Sequence, residues 1–157
     1  MPSPTRLAAA ALALALAAPL AARAGGKEVA LPRDFRTWTH VRSMVVTDPD
    51  EGMYGFHNVY ANKAALRTLR GQARSYADGA VFVVSIFEVK QEKGQVVAGA
   101  KQRDVVQVKD ASATETGGWR FASFDPSGKR TAVDVSTCAA CHAQASGGDH
   151  VFTRFAE

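Results

Sequence analysis

Apolar residues in this chain gather into short runs separated by turn formers. The strongest run, Ala80 to Val89, is almost continuously apolar and rich in Val, which predicts a strand buried on both faces. It follows the Asp78-Gly79 turn. Glu92-Lys93-Gly94-Gln95 then reads as a hairpin turn into a second strand. That strand ends near Val105–Lys109, where Val106 and Val108 alternate with Gln107 and Lys109. A third begins after Gly117-Gly118 and alternates Trp119, Phe121 and Ser123 with Arg120, Ala122 and Phe124. Asp125-Pro126-Ser127-Gly128 is a turn by composition.

Upstream, Val41–Thr47 is Val-rich and predicted extended, Asp48–Gly52 is a loop by its breakers, and Phe56–Tyr60 is a short strand. Leu31–Trp38 has the look of a helix start, with Pro32 and Asp34 in its first turn and Phe35 and Trp38 on one face. Asn62 suits the N-cap of a helix carrying Ala65, Leu66 and Leu69, with Gly71 as its stop. The sum is a mixed chain, α+β in class: a single domain of hairpin-linked strands with two or three short helices. No internal repeat interrupts it.

The N-terminus has a different character. Arg6 precedes an Ala/Leu tract from Leu7 to Leu20, too short and Ala-rich for a membrane span, and Ala22-Arg23-Ala24 fits a cleavage pattern. Residues 1–24 are expected to be a secretory signal peptide cut before Gly25, leaving no stable membrane anchor and a domain over 25–157. Removing Arg6 and Arg23 takes the 19 basic residues to 17 against 15 acidic ones, a net charge of +2. That balance, with no basic cluster interleaved with aromatics, gives no reason to expect nucleic acid as a partner.

Candidate chemistry is concentrated in Cys138-Ala139-Ala140-Cys141-His142, which holds both cysteines of the chain. Cys-x-x-Cys-His is the attachment signature of a c-type haem. Thiols three apart on a helical turn face the same way and can reach two vinyl groups on one porphyrin edge. His142 then presents its imidazole to the iron as axial ligand. A disulfide, a zinc site and a chance pair compete with this reading. Zinc would need four donors, with only His150 nearby, and a redox Cys-x-x-Cys belongs in a βαβ frame that is missing here. One covalent haem c is therefore the expected cofactor, and export to the periplasm agrees with it. The strands set the chain apart from the all-helical small cytochromes c and from the four-helix cytochromes c′.

Several short motifs occur in order: Leu31-Pro32-Arg33-Asp34-Phe35-Arg36-Thr37-Trp38, Val59 to Asn62, Asp78 to Val81, Val108 to Asp110, Gly117 to Trp119, the Cys-His motif, and Asp149 to Arg154. Together they resemble the cytochrome P-460 and cytochrome c′-beta family over most of the chain after residue 24. The resemblance implies an antiparallel sheet, a homodimer and a five-coordinate haem with an open distal face. One branch of that family oxidises hydroxylamine with a lysine bonded to the porphyrin edge. The other lacks the bond and binds small gases, NO above all, under an apolar cap.

The lysine of the enzyme branch corresponds to Val84 here, where the gas-binding branch tends to hold Phe. Lys90 shares the parity of Val84, but six residues of strand span roughly 20 Å, so it cannot substitute. By the same resemblance Val84, Met53 and Phe56, with Tyr54 beside them, are the candidate distal residues. The expected ligands are NO, CO or similar small molecules, and a redox partner protein fits an electron-transfer alternative. His40, His57, His150, Met44 and Met53 are the candidate sixth ligands. Asp134 is a candidate acid or a helix N-terminal residue, and Arg154 a candidate partner for a haem propionate.

Overall fold

The computed structural model describes residues 28–155; the expected signal peptide lies outside the described residues. Six strands, β1 (Thr39–Val46), β2 (Gly55–Ala61), β3 (Val81–Glu92), β4 (Gln95–Lys109), β5 (Trp119–Phe124) and β6 (Arg130–Thr131), form one sheet in chain order. Every neighbouring pair is antiparallel. Two helices, α1 (Lys63–Leu69) and α2 (Val135–Ala143), complete the α+β architecture that the hydrophobic pattern predicts.

The apolar run in β3 is continuous because both faces of its first half are covered. Phe82 packs with Val59, Ala61, Trp119 and Phe121 beneath Ala65 and Leu66 of α1. Val83, one residue on, packs with Val106, Ala122, Phe124, Phe35 and Val29 on the opposite face. Beyond Phe87 the β3–β4 ribbon projects past these layers and its residues become largely exposed. Lys93 and Gly94 close the ribbon with φ of 49° and 80°. Positive φ at both central positions gives the tight hairpin its twist, and glycine takes it without steric cost.

Asn62 caps α1 as predicted, and it does more. Its side-chain oxygen accepts from the amides of Ala65 (2.9 Å) and Val81 (3.1 Å), while Nδ2 donates to the Gly79 carbonyl (2.8 Å). One side chain therefore joins the start of α1 to the start of β3. At the N-terminus only a single 3-10 turn forms, Phe35–Thr37. Trp38 is already extended at φ −75° and ψ 168°, leading the backbone into β1. Burial of Phe35 against the sheet stops the helical pattern after one turn. β6 is two residues long and exposed, too short to leave a pattern in the sequence.

Asn62→Ala removes a cap worth about 1 kcal/mol and two further hydrogen bonds of about 1 kcal/mol each. Denaturant unfolding is expected to show a loss of about 2–3 kcal/mol, and a loss below about 0.5 kcal/mol would mean the α1–β3 junction does not depend on it.

Candidate haem site

The helix bearing the Cys-His motif begins at Asp134. Its carboxylate accepts from the amides of Ser136 (2.9 Å) and Thr137 (3.3 Å) and from both their hydroxyls. Those bonds, the Ser136 hydroxyl foremost, hold the carboxyl down at about 2. Asp134 is thus a permanently ionised N-cap, in keeping with the helix N-terminal alternative.

α2 buries none of its nine residues. Cys138 and Cys141 are both free thiols, the first half-buried and the second exposed. Cys138 and Ala139 lie against the buried cluster under α1, and Val84 packs against the same cluster. Burial raises the pKa of the Cys138 thiol, so the protein alone does not make it a reactive thiolate.

His142 is oriented by three neighbours. Nδ1 donates to the His150 carbonyl at 2.7 Å. Phe121 and Phe152 flank the ring, with centroid separations of 5.1 and 5.2 Å. Burial lowers the imidazole pKa, partly offset by the bond to the His150 carbonyl. A carbonyl can only accept, so Nδ1 carries the proton and Nε2 keeps its lone pair. Among the described residues no hydrogen bond engages Nε2.

The His150 carbonyl owes its position to an unusual segment. Asp149 and His150 have φ of 53° and 62°, a region that costs a residue other than glycine about 1–3 kcal/mol. Lys109 Nζ pairs with the Asp149 carboxylate (2.7 Å), whose other oxygen accepts from the Tyr76 amide (3.0 Å). The indole of Trp119, itself fully buried, donates to the Asp149 carbonyl (2.8 Å). The amide of Gln107 donates to the His150 carbonyl at 3.1 Å. The His150 ring lies over Gly117, where a Cβ would stand 2.7 Å from Nε2, and Gly117 has φ of 68°. Space and backbone conformation both demand glycine there.

These residues escape a reading of the linear pattern. Gln107 and Lys109 look like the solvated half of an alternating strand, yet they share the helix-covered face with Phe82, Phe121 and Trp119. The usable signal is the Gly-Gly-Asp-His stretch before Val151, which marks a tight turn without saying what it holds.

The distal candidates are dispersed. Val84 stands on the helix-covered face, paired with Val59. Phe56 pairs with Phe87 and alternates with His57, so it points to the opposite face from Val84. Met53 lies on the surface, 37 % exposed. Its carbonyl accepts from Nε2 of the buried His57 at 2.6 Å, and the neighbouring Gly52 carbonyl accepts from Arg103. His57 therefore shares the Val84 face with its Nε2 already engaged. Met44 packs against the cluster on that face. His40 is exposed, hydrogen-bonded to Ser43.

A cavity of about 1040 Å³ opens beyond Phe152, lined in part by Leu69, Tyr76, Phe155 and three arginines, Arg70, Arg74 and Arg154, with no carboxylate side chain. The cysteines and His142 do not line it; they stand on the adjoining surface of α2. No group of three or more His, Cys, Asp or Glu among the described residues is placed to hold a metal ion.

A family model described as Cytochrome P460 matches residues 32–153. The chain belongs to the cytochrome P460 family. A search of curated proteins returns no match. The family implies a haem cofactor, and its members are generally periplasmic. The structure's donor set fits such a group: two reduced thiols a helical turn apart, a neutral imidazole with Nε2 available, and a helix with no buried side chain that can receive a flat apolar plate. No helix among the described residues is long and apolar enough to cross a membrane.

His57 yields a prediction for the cytochrome P460 fold. Desolvation lowers its pKa below the 6.5 of the unfolded chain, with Arg103 adding to the effect and the Met53 carbonyl opposing it. Between those two values the unfolded state binds more protons, so stability falls as pH drops from about 6.5 toward the folded pKa. His57→Gln is expected to flatten part of that loss. Urea unfolding at pH 7.5 and 5.5 measures it, and an unchanged pH slope would show that His57 is not buried as a neutral ring.

Proposed function

We propose that this chain is a periplasmic monohaem c-type cytochrome that binds NO, CO or a similar small neutral ligand at an open iron position. Cys138 and Cys141 carry the haem covalently, and His142 supplies the axial nitrogen through Nε2. Bound haem supplies an iron centre able to take a diatomic ligand or change valence. The protein contributes a neutral, oriented imidazole, an apolar face around Val84, and arginines at 70, 74 and 154 whose charge suits two propionates.

The observation that carries the gas-binding choice is Val84. It packs against the apolar cluster that Cys138 also touches, at the position where the family resemblance places a cross-linking lysine in the enzyme branch. An aliphatic side chain has no atom for that bond. Lys109, a lysine on the same face of the next strand, is engaged with Asp149. Asp134, held at about 2 by its capping bonds, is too weak a base to relay protons at neutral pH, and hydroxylamine oxidation releases protons that such a relay must take up. Export, cleavage before Gly25, a homodimer and a redox partner protein belong to the same proposal.

The deciding experiment is the absorption spectrum of the dithionite-reduced holoprotein before and after CO. A high-spin spectrum that shifts with CO is expected. A low-spin spectrum indifferent to CO would replace this proposal with electron transfer and Met53 as first suspect for the sixth ligand, and steady turnover of hydroxylamine with an electron acceptor would replace it with catalysis. The double variant Cys138→Ser, Cys141→Ser is expected to yield haem extractable by acidified solvent, whereas the parent retains it on the chain through denaturing electrophoresis.

A further inference from the structure

We propose that Gln107 is a positioning residue that sets how strongly His142 donates electrons to the iron, acting through a backbone carbonyl that the two side chains share. The inference rests on the assignment of His142 as axial ligand made above.

The His150 carbonyl accepts from His142 Nδ1 at 2.7 Å and from Gln107 Nε2 at 3.1 Å. A carbonyl oxygen has two lone pairs, so both bonds can coexist. Gln107 is held firmly. It lies in the middle of the paired part of β4, opposite Phe82 on one side and Phe121 on the other, and is only 8 % exposed. A buried amide in that company needs a partner, and its partner is this carbonyl. The oxygen is held independently as well. His150 N bonds to the Ala145 carbonyl (3.0 Å), and Asp149 is tied by Lys109, Trp119 and the Tyr76 amide. The geometry therefore comes mainly from the sheet, with one bond from the residue just past the C-cap of α2.

The consequence is electronic. A hydrogen bond from the ring N–H to an acceptor makes the other nitrogen of a ligating imidazole more basic. A second donor on the same oxygen draws electron density from it and weakens its pull on the Nδ1 proton. Gln107 thus restrains the imidazolate character of His142. Removing the Gln107 donor leaves the carbonyl to His142 alone, strengthens donation at Nε2 and favours the ferric state, since ligand hydrogen bonding is one of the levers on haem potential.

The test uses the holoprotein and two variants. Gln107→Met keeps side-chain length and removes the donor; Gln107→Asn keeps an amide but falls one methylene short. The readouts are the Fe–His stretching band of the ferrous protein by resonance Raman, the reduction potential, and Tm as the structural control. Both variants are expected to raise the Fe–His frequency and lower the potential. At the parent's midpoint the ferric-to-ferrous ratio should rise about threefold, equivalent to ~30 mV for one electron. A fall in Tm with band and potential unchanged, or a shift in the opposite direction, overturns the proposal and leaves Gln107 a packing residue. If Gln107→Met does not fold, the Asn variant alone decides by the same criteria. A parent protein with no Fe–His band would instead overturn the five-coordinate His142 assignment, and this inference with it.

Discussion

Two consecutive residues at positive φ, Asp149 and His150, govern the geometry of the candidate haem site. Neither is glycine, so the turn persists only because its surroundings over-determine it. Lys109, Trp119 and Gln107 reach it from β4 and β5, and the Tyr76 amide from the segment after α1. In return the turn gives the His142 ring its one backbone acceptor among the described residues. The sheet thus orients the candidate iron ligand through a carbonyl eight residues away from it in sequence. Tyr76 records how enclosed this junction is: desolvation, helped by the Asp149 charge, pushes its phenol up to about 12.

The two faces of the sheet are used differently. The face under Phe35 is a sealed core containing one buried polar set, where Asp104 accepts from Ser85 at 2.7 Å and pairs with Lys101. With Asp104 only 1 % exposed, loss of Lys101 would strand its charge. The other face carries Phe82, Trp119 and Phe121 and is covered only in part. α1 contributes Ala65 and Leu66, whereas α2 contributes no buried residue. Apolar surface around Val84, Cys138 and Phe152 can therefore serve a prosthetic group without dismantling the fold. This division explains how a small domain keeps a stable core beside an open apolar site.

Electrostatics at the site point one way. The ring of His142 is neutral and desolvated, the nearest carboxylate on its helix is committed to capping, and the cavity beyond Phe152 is rimmed by arginine. Such surroundings suit an anionic macrocycle edge and an uncharged ligand. They provide little for moving protons.

The linear pattern determined much of this protein: where most strands lie along the chain, the Lys93–Gly94 hairpin, the Asn62 cap and the Cys138–His142 motif. Each depends on local chemistry, whether side-chain alternation, turn conformation or thiol spacing on a helical turn, so each is legible over a few residues. Other features came only with the tertiary structure. Whether Gln107 and Lys109 face solvent or clamp a turn depends on a segment forty residues away, and alternation alone cannot tell the two apart. Met53, Phe56 and Val84 look adjacent as a distal set, yet strand parity sends Phe56 to the other face, and Met53 lies on the surface in the turn before β2. Leu31–Trp38 carries a helical pattern that the burial of Phe35 cuts to one turn. Sequence specifies which groups are present and their local conformation, whereas long-range packing decides which of them meet, because contacts across a sheet join residues that no local pattern links.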